Sequence, residues 1–112
     1  MPASYVHKGE QLDFTPAADV ALGEVVVQGE LVGIAHRPIK AGELGSLVVA
    51  GVFDLPKAVG AGNAIASGVL LYWDAAAQVA TANSASGANK LLGKSIRAAA
   101  EVDSGVRVRL SQ

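Results

Sequence analysis

The sequence predicts an all-β fold, a small β-barrel or sandwich of seven or eight short strands with at most one short helix. Three observations carry that expectation. Short β-branched and apolar runs recur between turn signals rich in Gly, Pro, Asn and Asp. The gaps between them are too short for parallel crossovers, which need about a dozen residues or more. And two stretches 60 residues apart read as one β unit written twice. Leu31-Val32-Gly33-Ile34-Ala35 leads to Gly45-Ser46-Leu47-Val48-Val49; Leu91-Leu92-Gly93-Lys94-Ser95 leads to Gly105-Val106-Arg107-Val108-Arg109-Leu110. In each copy the second glycine follows the first by twelve positions.

The elements follow in order. Residues 1–15 have mixed polarity and no turn signal before Thr15-Pro16, so they form either an extended N-terminal arm or an edge strand. Residues 16–112 are expected to form one β domain carrying the pseudo-repeat 31–49 and 91–109. Glu24 to Gln28 is a strand by β-branched content, and Gln28-Gly29-Glu30 turns it tightly into Leu31–Ala35 as a hairpin. Pro38 biases Arg37 to an extended conformation and makes 36–43 a loop. Ser46 to Phe53 is the longest strand signal; its apolar run from Leu47 is nearly unbroken, which predicts cover on both faces. Asn63 can cap one helical turn from Ala64 to Ser67, stopped by Gly68. Val69 to Asp74 is a strong strand, Gln78 to Thr81 a short returning one, and Ala82 to Asn89 a loop. Lys90 to Ala100 is open between strand and helix. In the last strand Val106, Val108 and Leu110 alternate inward, with Arg107 and Arg109 outward.

Composition narrows the function. The 112 residues give room for one domain, able to bury a core without staples. With no cysteine, disulfides and thiolate metal sites are excluded. The N-terminus does not read as a signal peptide, and no apolar run approaches the ~18 residues of a membrane span. Nine basic and ten acidic residues lie scattered, which argues against a nucleic-acid footprint. The aromatics are Tyr5, Phe14, Phe53, Tyr72 and Trp73 among many Ala, Val and Gly residues, so the core is thin and copies of the chain are expected to share burial.

Ala88-Asn89-Lys90-Leu91-Leu92-Gly93-Lys94-Ser95 approaches a phosphate-binding loop, with Ala in the first glycine's place. Such a loop must follow a buried strand and open a helix; here an Ala/Ser/Asn loop precedes it, and Leu91 and Leu92 read better as strand residues. His7 and His36 have no second ligand at helical or hairpin spacing, so no metal is expected. Tyr72-Trp73-Asp74 could be a binding platform or, more simply, a core anchor whose Asp74 bonds turn amides. No catalytic constellation and no cofactor site emerges; the chain reads as a non-enzyme.

Four pieces together carry a resemblance: Leu31–Ala35; Gly51-Val52-Phe53-Asp54-Leu55-Pro56-Lys57; Gly68-Val69-Leu70-Leu71-Tyr72-Trp73-Asp74; and Val106–Leu110. In this order and spacing the chain, over about residues 5 to 110, resembles the small capsid cement, or decoration, proteins of tailed bacteriophages and prophages. Some members of that family have carried a RecA/RadA-like recombinase label, which a chain this short with no genuine ATP site does not support. The resemblance implies a homotrimer without cofactor that binds the major capsid protein on the outside of the expanded head. It implies a place on the virion capsid surface, in the host cytoplasm before assembly, and the scattered charge and short apolar runs add the expectation of no nucleic-acid and no membrane partner. Capsid contacts are expected from the N-terminal segment, with Tyr5, Val6, His7, Lys8 and Phe14 as candidate residues. The alternative is a monomeric β-barrel that binds a ligand or peptide, through Tyr72 and Trp73.

Overall fold

The computed structural model describes residues 3–4 and 9–111, and it is all-β. β1 (Gln11–Phe14), β2 (Val25–Gln28), β3 (Leu31–Ala35) and β4 (Gly45–Val48) form one antiparallel sheet in the order β1-β4-β3-β2. β5 (Gly51–Pro56), β6 (Leu70–Asp74), β7 (Val79–Thr81), β8 (Lys90–Ser95) and β9 (Gly105–Leu110) form a second, in the order β5-β9-β8-β6-β7. A lone parallel bridge between Lys57 and Ala80 brings the two ends of this sheet together at one point. The sheet curls without closing, and the body is sandwich-like.

The two sheets follow one plan, with β1, β4, β3 and β2 matched by β5, β9, β8 and β6 and β7 added at the edge. The hydrogen bonds match too. Val20 bridges Ile39 as Ile65 bridges Ala99. The Gly23 amide donates to the Ala35 carbonyl at 2.7 Å, and the Gly68 amide to the Ser95 carbonyl at the same distance. Gly23 and Gly68 share a φ of +81°, a left-handed conformation that suits glycine. Where the copies differ most is the hairpin tip. β2 and β3 turn in two residues, Gly29 supplying the positive φ that a type II′ turn needs at its first central position. Between β6 and β8 the chain instead makes β7 and a 3₁₀ turn, Ala85–Gly87.

Alternation along the strands builds two clusters. The larger holds Leu55, Leu71, Trp73, Leu92, Val106, Val108 and Leu110 from the second sheet. Val32 and Ile34 of β3 reach into it, which fastens the first sheet onto the second. The smaller cluster holds Val20, Ala35, Ile39 and Leu47, with Phe14 and Val26 packed against it. Arg107 and Arg109 point away from the core, as the alternation of β9 requires.

Four expectations need correction or completion. The run 46–53 is two strands in different sheets, broken at Val49-Ala50 and turned at Gly51, whose φ is +131°. Hydrophobicity alone does not reveal such a joint, and Val52 is 55 % exposed, so one face of β5 is open. The helical turn at 64–67 is absent, because Ile65 exchanges both backbone bonds with Ala99 at 2.8 Å. The open stretch 90–100 resolves as strand up to Ser95 and loop after it. Among the described residues there are nine strands, where seven or eight were expected.

Candidate functional site

Of the candidate capsid contacts, Tyr5, Val6, His7 and Lys8 lie outside the described residues. Phe14 ends β1 opposite Gly45, half-buried against the smaller cluster. Within the described chain it packs into the first sheet. Gln11–Phe14 pairs residue for residue with Val48–Gly45, so this part of the N-terminal segment is an edge strand.

The stretch resembling a phosphate loop does not form one. Gly93, Lys94 and Ser95 continue β8, and no helix follows them. The Ser95 hydroxyl is buried; it donates to the Ala66 carbonyl at 2.6 Å and accepts from the Val69 amide at 3.1 Å. Lys94 points to the opposite face and is exposed. Gly93 is required by close packing, since a Cβ there would overlap the Arg109 carbonyl oxygen. Trp73 is a core residue at 3 % exposure, and the Asp74 carboxylate accepts from the Ala76 and Ala77 amides at 3.1 Å. Trp73 is thus a core anchor and Asp74 a turn residue, while Tyr72 is half-buried.

What the fold does assemble is surface. The registers of β5, β9, β8 and β6 set Val52, Arg109, Lys94 and Leu70 in one row across the second sheet. All four are exposed. The next row sets Asp54 beside Arg107, whose guanidinium donates to both carboxylate oxygens at 2.8 and 3.1 Å. That bidentate pair, with Arg97 nearby, holds the Asp54 carboxyl below the usual aspartate range. The outcome is a sheet face rich in cations with apolar residues between them. The outward alternation of β9 made its arginines legible in the sequence; Val52 and Leu70 became their neighbours only through long-range pairing.

The clefts repeat with the fold. Asp13, Arg37 and Glu43 line an open cleft on the first sheet. Asp54, Arg97 and Asp103 line its counterpart on the second. Ser46 faces Asp13 where Arg107 faces Asp54, so the second cleft has two guanidinium groups, Arg97 and Arg107, and the first has one, Arg37. Among the described residues no group of three His, Cys, Asp or Glu side chains is placed to hold a metal ion.

Two similar β units presenting exposed sheet faces and open clefts describe a structural, surface-presenting β protein. A sequence model of the phage cement protein family matches residues 6–110, nearly the whole chain. The chain belongs to the phage cement protein family. Membership implies a capsid cement role and a place on the virion capsid. Among curated proteins and among solved structures, nothing matches.

Proposed function

We propose that the chain binds the outer surface of the expanded phage head as a homotrimer and stabilises it against disassembly. The family match over residues 6–110 is the observation that supports this reading. A cement protein needs no chemistry: it adds contacts across boundaries between major capsid proteins. Its side chains contribute by what they bury, and its copies multiply weak contacts, since linked sites bind with far higher avidity when geometry allows.

The N-terminal segment is the proposed capsid contact. Tyr5, Val6, His7 and Lys8 precede β1, and an extended segment can add a strand to an exposed sheet edge through main-chain hydrogen bonds. Phe14, held in the first sheet, fixes where that segment leaves the body.

The test uses expanded heads assembled from the major capsid protein of the phage that encodes this chain. The full chain should co-sediment with expanded heads at a fixed ratio and raise their disassembly temperature. Failure to bind expanded heads sinks the reading. Removing residues 1–8 spares β1, so the shortened chain should keep its number of copies per assembly and its circular dichroism yet no longer sediment with heads. Undiminished binding by the shortened chain would remove the segment from the interface.

A further inference from the structure

Among the described residues nothing covers the outer face of the second sheet, whereas its counterpart on the first sheet is covered. In the first unit Val25 and Ile34 stand opposite each other and pack toward the larger cluster. Leu70 and Lys94 occupy the matching pair in the second unit and are both exposed, Leu70 at 46 %. Lys94 and Arg109 have no ion pair among the described residues. Charge is divided the same way along the chain. Residues 1–50 carry three Lys/Arg and six Asp/Glu; residues 51–112 carry six and four. One link between the halves already uses that division: Glu30 of the first hairpin pairs with Lys90 of β8 at 2.9 Å.

We infer that the basic, apolar-studded outer face of the second sheet docks head-to-tail on the acidic first unit of another copy of this chain. The repeat indicates what that acidic unit receives. In the second unit Asp54 holds the Arg107 guanidinium across the strand pair. In the first unit Asp13 faces Ser46 across the strand pair, beside an open cleft where Asp13 and Glu43 outnumber its one arginine, Arg37. Leu44, 68 % exposed, lines the same cleft and offers apolar cover. A guanidinium or ammonium from Arg109 or Lys94 of a second copy supplies the partner that the second unit finds within its own chain. Because the two surfaces differ, the contact is heterologous and closes into a ring when its rotation allows. The inference rests on the proposed self-association and names the surfaces that carry it.

Light scattering of the full chain separates the possibilities. The wild-type chain should show a multiple of 11.3 kDa at low salt. Its mass should fall toward the monomer in 1 M salt, where the screening length drops to about 3 Å. Lys94→Glu with Arg109→Glu should give a monomer of unchanged circular dichroism, and so should Asp13→Lys with Glu43→Lys. All four substitutions in one chain should restore the assembled mass. A monomeric wild-type chain overturns self-association itself. An assembled wild type whose paired variants also stay assembled overturns only the surfaces named here. The same holds if the four-fold variant fails to recover while each pair stays folded, or if Lys94→Glu with Arg109→Glu stays assembled and loses head binding instead.

Discussion

Gly33 and Gly93 hold matching places in the two units, yet different neighbours make them necessary. A Cβ on Gly33 would lie 2.8 Å from the Leu47 Cβ, an atom fixed to its own backbone, so β3 or β4 would have to shift. A Cβ on Gly93 would meet backbone of β9, which cannot yield without breaking the sheet. Overpacking typically costs about 1–3 kcal/mol and occasionally more. Gly33→Ala should fall within that range and Gly93→Ala at or above its upper end. Denaturant midpoints measure both, and the reverse order would contradict the packing described. The neighbouring pair separates scaffold from nucleotide chemistry. Ser95→Ala removes a buried hydroxyl that both donates and accepts, at a cost of about 1–3 kcal/mol. Lys94→Ala, at an exposed position, should change monomer stability by no more than about 0.5 kcal/mol. The close approach of Gly93 was legible as a recurring glycine; that its neighbour is the Arg109 carbonyl depends on a pairing between distant segments.

Strand β5 shows what a local reading reaches and where it stops. Its composition marks it as strand, and its apolar continuity with β4 hides that the chain changes sheets. The informative residue is Gly51, because a φ of +131° is strained for any residue with a side chain. Gly51→Val should cost about 1–3 kcal/mol in a denaturant titration, and wild-type stability in the variant would contradict a joint there. Across β5 and β9, the Asp54–Arg107 pair gives this strand pair a pH signature. The Asp54 carboxyl is lowered from 3.8, chiefly by its hydrogen bond to Arg107. Its stabilisation is therefore fully present above 3.8 and fades as pH falls through the lower folded value. Between pH 5 and 2, Asp54→Asn should lose less stability than wild type. The gap should be small, because the pair is exposed. Equal acid sensitivity would show that the pair contributes nothing. The sequence placed Arg107 outward but could not pair it with Asp54, because that contact spans the chain.

At the scale of the whole molecule, the repeat that first appeared as two glycine spacings extends to sheet order, bridges and clefts. It was legible because the glycines and β-branched runs recur at fixed offsets. The offset breaks at the hairpin tip, where one copy has two residues and the other has β7 and a 3₁₀ turn, so the correspondence of β2 with β6 needed coordinates. The candidate contacts Tyr5 to Lys8 rest on the family resemblance, since nothing in their local pattern separates an arm from a strand. If copies of the chain share burial as proposed, it should melt at a temperature that rises with protein concentration. Scanning calorimetry over a hundred-fold range checks this, and a constant midpoint would mean that assembly adds nothing to folding stability. The hairpin tip has a practical consequence as well. Ala85 and Ser86 sit at positive φ in a short exposed turn whose residues enter neither cluster. The first unit folds with nothing comparable, so the architecture does not need this turn to keep a fixed length. That makes it a splice point: a foreign peptide inserted at Ser86 would ride on every copy bound to a head, turning a particle's coat into a dense display array.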